Sequence, residues 1–288
     1  MIDETLKVAL ESEIGNLTIS EEAKNVLSTI LLLGDEGEGC LDIIPNLLVV
    51  SDPGAGVSTY SSIYSAIIDG SGVYRVGGAE TFLELDFPNV ESIMEYDMFF
   101  ESPRIVAETQ NRFWGTFVIS FSRYEGADLL GSEQFERLTE FVYTNRENIH
   151  FIFHVTPEFS DIAELECILG QIVDIKKVEF GEIKLEDLSG YFVNELARNG
   201  VELSDDCANM IRDSLIADMM NEKCFSGFRS MDILISRLCY ELVSEILRCK
   251  AQEGQDSKKD MDKIVEKIVA GILANRSENR YSRQKIGF

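Results

Sequence analysis

Leu47-Leu48-Val49-Val50-Ser51-Asp52-Pro53-Gly54-Ala55-Gly56-Val57-Ser58 is the stretch on which the fold turns. Four consecutive apolar residues bounded by turn formers read as a short strand buried on both faces. Pro53, Gly54 and Gly56 then interrupt any regular element. From Ser58 to Ile68 the apolar residues recur at helical spacing. A buried strand feeding a tight turn and then a helix is the opening of a parallel βα unit.

Outward from this stretch the same alternation continues. Ser20-Glu21-Glu22-Ala23 has an N-cap serine with acids in the first turn, which predicts a helix through about Leu33. Strands are expected at Thr81–Asp86, Thr116–Phe121, His150–Val155 and Ile175–Phe180. Helices are expected at Glu101–Asn111, Glu133–Asn145 and Asp161–Gly170. Five apolar strands separated by helices predict an α/β fold, a mainly parallel five-stranded sheet covered on both faces. After Gly181 no strand candidate remains, and Leu185–Asn199, Ser204–Asn221, Ser230–Lys250 and Lys258–Asn275 read as helices. The expected domains are therefore residues 1–183, an α/β core with an N-terminal helix, and 184–288, an all-α domain ending in a basic tail.

Composition limits the partners. The 288 residues are 45% hydrophobic and 27% charged, ordinary for a chain that buries a real core. Twenty-six Lys and Arg face 51 Asp and Glu, a net charge of −25. Such a body repels phosphate backbones and anionic lipid surfaces, so no nucleic acid and no membrane is expected as a partner. Residues 250–288 reverse the sign, with nine Lys and Arg against six Asp and Glu. No apolar run approaches the roughly 20 residues of a membrane helix. The opening Met1-Ile2-Asp3-Glu4-Thr5 has neither the basic nor the apolar region of a signal peptide, which predicts a cytoplasmic location. The cysteines at 40, 167, 207, 224, 239 and 249 form no C-x-x-C pair, and His150 and His154 are the only histidines. No metal site is expected from this material, and the thiols are expected to be reduced and mostly buried.

A phosphate-binding P-loop needs a strand, a Gly-rich turn and a helix, with Lys reaching the β/γ-phosphates and Ser or Thr on Mg²⁺. Here the context is right and the residues half right. Ser51 stands where the first Gly belongs and Val57 where Lys belongs, while Gly56 and Ser58 are kept. A tight βα turn with no ligand is the competing reading.

The string Ser51–Ser58 nonetheless resembles the Walker A loop of AAA+ ATPases, and an α/β core followed by a helical lid is also their order. Gly115-Thr116-Phe117-Val118-Ile119-Ser120-Phe121 is similar to their Walker B strand, in the form found in the CbxX and stage V sporulation protein K-like group. His150–Val155 with Thr156 resembles the sensor 1 strand. Gly227-Phe228-Arg229-Ser230-Met231-Asp232 resembles sensor 2, with Arg229 in the sensor position, and Lys285-Ile286-Gly287-Phe288 resembles a short ending of that group. The resemblance implies a P-loop AAA+-like fold. It implies Gly54, Ala55, Gly56, Val57, Ser58, Thr59 and Arg229 as a degenerate nucleotide-binding set, with ATP or ADP as its ligand.

The departures bear on chemistry. Phosphoryl transfer needs charge stabilisation, a metal and an oriented water. Val57 removes the ammonium, and Ser120 and Phe121 stand in place of the Asp-Glu pair that the family carries at the end of this strand. Nothing in the sequence places Arg75, Arg104 or Lys176 as a substitute. No catalytic residue is assigned, and the chain is expected to be an inactive AAA+-like subunit rather than an enzyme. Its partner is then a protein, another copy or an active AAA+ subunit. A nucleotide-binding switch without turnover and a plain binding module working through its helical part or tail are the alternatives. Tyr60 and Tyr64 read as packing residues, and His154 as a satisfied strand-end histidine.

Overall fold

The computed structural model describes residues 2–36, 43–72, 82–88, 94–95, 97–101, 115–122, 124, 127–222, 224–252, 264–265 and 267–272. The chain forms two units, Met1–Glu182 and Ile183–Phe288.

In the first unit two helices, α1 (Glu4–Asn16) and α2 (Glu21–Glu36), precede the sheet. Strands β1 (Asn46–Val50), β2 (Phe82–Asp86), β3 (Gly115–Ser120), β4 (Ile149–Val155) and β5 (Ile175–Glu179) alternate with helices α3 (Val57–Gly70), α4 (Ala127–Leu130), α5 (Glu133–Asn145) and α6 (Ile162–Gly170). The five strands form one sheet in the order β2-β3-β4-β1-β5, with every pairing parallel. Each strand lies within one residue of its sequence expectation. The expected helix at Glu101–Asn111 falls, beyond residue 101, outside the described residues, as does much of Lys258–Asn275.

Caps set the helix starts. Ser20 Oγ accepts from the Ala23 N–H at 3.2 Å and donates to the Glu179 carbonyl at 2.6 Å, so the cap of α2 also ties it to β5. Ser132 caps α5 through the Phe135 N–H at 3.1 Å. Helix α1 has no counterpart in the sequence reading, which opened its first helix at Ser20. Only Leu10 and Ile14 of α1 are buried within it, so its apolar stripe is faint. Asp3 caps it, and the end of its Leu6 side chain lies over Gly70, where a Cβ would stand 2.7 Å from Leu6 Cδ2.

The two faces of the sheet differ. Side chains alternate along each strand. On one face Leu48, Phe117, Ile119, Phe151 and Phe153 pack with Phe135 and Leu138 of α5 and Leu165 of α6. Each fully buried Phe there contributes roughly 1.5–3 kcal/mol by leaving water. The other face meets α3 and carries Thr116, Ser120, His150 and His154. On α3, Tyr60 donates to the Ala23 carbonyl at 3.1 Å and Tyr64 to the Pro45 carbonyl at 2.9 Å, and both rings are fully buried. The hydroxyls of Ser61, Ser65 and Thr116 are buried with no hydrogen-bond partner.

The second unit is helical. Helices α7 (Leu185–Arg198), α8 (Asp205–Ile211), α9 (Ala217–Met220) and α10 (Gly227–Gln252) pack around Leu188, Phe192, Ile211, Leu215 and Leu238. One π turn, Arg212–Ile216, joins α8 to α9, where the sequence reading expected a single helix. Of the thiols, Cys207 is buried, but Cys167 and Cys224 are exposed, which corrects the expectation of mostly buried cysteines.

Candidate functional site

Strand order locates the site. The connection leaving β1 runs through α3 towards β2, and the connection leaving β4 runs through α6 to β5, on the far side of β1. Adjacent strands β1 and β4 thus send the chain in opposite directions. The crevice at their carboxyl ends is where open α/β sheets bind ligands.

The turn after β1 forms one wall of this crevice. The Ala55 N–H donates to the Asp52 carbonyl at 3.1 Å, and Gly54 and Gly56 take φ of 78° and 93°, conformations that disfavour a side chain. Gly56 is the N-cap of α3 and brings no side-chain cap bond. Ala55 is buried. Val57 is the first residue of α3, 8% exposed, so the position that would need a cation holds a packed isopropyl group. Ser58 and Thr59 are exposed in the first turn of α3. The Ser58 hydroxyl donates to Glu84 Oε1 of β2 at 2.8 Å.

The charge around the turn is negative. Burial, and then the Glu158 and Glu182 carboxylates, push the Asp52 carboxyl above its usual range. Among the described residues no basic group acts on Asp52.

The strand ends supply an arrangement that sequence reading missed. Ser51, His154 and Ser120 leave adjacent strands β1, β4 and β3 at one level, and all three are at most 8% exposed. Ser51 Oγ lies 3.1 Å from His154 Nε2, and Ser120 Oγ lies 3.1 Å from His154 Nδ1. Burial lowers the imidazole pKa from its usual 6.5, against the Ser51 backbone carbonyl and the Asp86 carboxylate, which raise it. His154 is thus the satisfied strand-end histidine expected. Its partners could have been read only with the strand order in hand.

Phe121 is turned away from the crevice. Its ring is fully buried in the aromatic layer, stacked on Phe153 at 6.4 Å and 9°. Thr156 is buried beyond β4. Lys176 pairs with Leu47 at the opposite end of β1 and cannot stand in for the missing ammonium, and Arg75 and Arg104 lie outside the described residues. Arg229 lies in the second unit, exposed on the first turn of α10. Asp232, its neighbour on that helix, accepts from the Tyr191 phenol at 2.6 Å.

Among the described residues no group of three or more His, Cys, Asp or Glu is arranged to hold a metal, and no helix is long and apolar enough to cross a membrane. The crevice residues do not fit a magnesium–triphosphate. The apolar Val57, the Ser58 hydroxyl engaged with Glu84, and the acidic set Asp52, Glu158 and Glu182 offer it no cation and no free hydroxyl at position 58.

No family model matches this chain, and no curated protein matches it. Among solved structures it is similar to PCH-2 of C. elegans, at 14% identity and TM-score 0.47, covering 93% of this chain and 74% of that one. It is similar to a point mutant of RuvB from Thermotoga maritima, at 17% identity and TM-score 0.49, covering 89% and 71%. It is also similar to the AAA domain of FIGL-1, at 15% identity and TM-score 0.46, covering 96% of both chains. Similarity at this level bears on neither substrate nor activity.

Proposed function

We propose that the chain is an AAA+-type protein that has lost ATP hydrolysis and acts through protein contacts, as an assembly, scaffold or regulatory subunit. The observation that carries this reading is the content of the crevice: Val57, Ser51, His154 and Ser120, all buried and none of them a charged phosphate or metal ligand. Electrostatic stabilisation is usually the largest catalytic contribution, and an acidic crevice opposes a developing phosphate charge. The partner is a second copy of this chain or an active AAA+ subunit. A second reading, a switch that binds ATP or ADP without turnover, is favoured by the backbone of Gly54 and Gly56 and the uncapped start of α3.

The test is ATP hydrolysis by the purified full chain with magnesium, read beside titration calorimetry with ATP and ADP. No phosphate release and no binding heat are the expected results. Hydrolysis that Ser58→Ala abolishes would overturn the proposal. Binding heat without hydrolysis would transfer the weight to the switch. Sedimentation of the chain alone, and mixed with an active AAA+ ATPase, then distinguishes self-assembly from mixed assembly.

A further inference from the structure

The bonds at either end of the Ser51–His154–Ser120 set give it a direction. Ser51 Oγ donates its one hydrogen to the Asp52 carbonyl at 3.4 Å, so towards the ring it accepts from His154 Nε2 at 3.1 Å, and Ser120 Oγ donates to Nδ1 at 3.1 Å while accepting from the Ser122 N–H at 3.4 Å. A neutral imidazole that accepts at Nδ1 carries its hydrogen on Nε2. That N–H faces Ser51 Oγ at 3.1 Å, and Ser51 Oγ in turn donates to the Asp52 carbonyl at 3.4 Å. The chain therefore runs Ser122 N–H, Ser120 O–H, His154 Nδ1, Nε2–H, Ser51 O–H, Asp52 carbonyl, joining the exit of β3 to the turn after β1.

We propose that His154 is a proton-operated reversing element in this chain. A second proton, taken from solvent at Nδ1, makes both ring nitrogens donors. Ser120 must then accept from the ring, and its own hydrogen loses its partner. Ser120 Oγ then accepts from both the ring and the Ser122 N–H and no longer donates to the ring, so it loses the polarisation that strengthened it as an acceptor and the link to Ser122 weakens. Nothing reverses on the Ser51 side, because Nε2–H donates there in both states. Acid thus loosens the β3 exit and leaves the β1 turn in place.

The groups around the ring allow this. Ser51, just after β1, and Ser120 of β3 are neutral, and the phenols of Tyr60 and Tyr64 on α3 are engaged with backbone carbonyls. On β4 itself, His150 shares the face. Among the described residues, the carboxylate acting on the ring is that of Asp86, at the end of β2 beside Ser120, and it favours the added proton. Burial opposes that proton, so the ring is neutral at neutral pH and titrates below its ordinary value. The inference rests on hydrogen-bond geometry and holds whether or not the crevice takes a nucleotide.

The test uses the full chain labelled with ¹⁵N. Imidazole nitrogen spectra at pH 7.5 report the tautomer directly, with His150→Phe assigning the two rings. The expected result is the Nε2–H form, titrating below pH 6.5. Amide exchange, corrected for its intrinsic pH dependence, should rise severalfold at Ser122 through that titration and stay constant at Gly54–Ser58. His154→Gln should flatten the Ser122 response. An Nδ1–H tautomer, or Ser122 protection unchanged while His154 titrates, overturns the proposal. The tautomer and exchange readings on the unsubstituted chain decide the matter even if His154→Gln does not fold.

Discussion

Replacing His150 with Phe should flatten the dependence of stability on acid. His150 sits on β4, pairs in register with Thr116 and meets the Tyr64 ring edge-on at 6.1 Å. Burial pulls its pKa from 6.5 down to about 4. The unfolded chain therefore binds the proton more readily than the folded one between those two values. A histidine so depressed leaves stability intact above pH 6.5 and erodes it as pH falls towards 4. Linkage over that interval gives about 2 kcal/mol of lost stability between pH 7.5 and pH 5, and about 3 kcal/mol by pH 4. Phe keeps a flat ring against Tyr64 and cannot take the proton. Urea unfolding of the unsubstituted chain and of His150→Phe at pH 7.5 and pH 5 is the assay, with the first unit's transition read separately from the second's. The difference between the two proteins should change by about 2 kcal/mol across that interval, in favour of the variant at low pH. Parallel pH profiles would refute the reasoning, because His150 would then take its proton equally easily in both states.

Tyr60→Phe should destabilise the first unit by about 1 kcal/mol in chemical denaturation, since it removes a buried hydrogen bond to the Ala23 carbonyl, which keeps only its helical donor. Ser65→Ala should be neutral or stabilising by up to about 1 kcal/mol, because the hydroxyl it removes is buried and unpaired. Gly70→Ala should leave amide exchange over Glu4–Asn16 little changed, since the atom its methyl meets, Leu6 Cδ2 at 2.7 Å, is the far end of a half-buried side chain that can turn aside. Phe192→Ala should cost the second unit about 3–5 kcal/mol and lower its melting temperature, by opening a cavity in its core.

The strands were legible because each is a short apolar run closed by turn residues, and the second unit because helical spacing replaced such runs after Gly181. What was not legible depended on pairing. Val49 and His154 lie 105 positions apart and face each other only because β4 inserts between β3 and β1. That insertion is a property of the connections, which local periodicity does not record. The crevice was therefore readable as a turn with Val57 in the wrong place for a phosphate. It was not readable as Ser51, His154 and Ser120 bound to one another. Phe121 shows the same limit from the other side. In sequence it stands next to Ser120 at the end of the same strand, yet alternation sends it into the opposite layer. Helix α1 is faint in the sequence for a local reason, since only two of its thirteen residues are buried and its apolar periodicity is weak.

The π turn at Arg212–Ile216 has an evolutionary consequence. A π turn holds one residue more than the α-helical turn it replaces, so it is a tolerated insertion that never became a loop. Removing one residue there would restore an unbroken helix from Asp205 to Met220 and keep Ile211 and Met219 on their common face. The same deletion in the middle of α10 would rotate everything beyond it by about a quarter turn or more. In descendants and ancestors of this chain, a single-residue gap within 212–216 should be common and silent, and one within 231–242 should be rare.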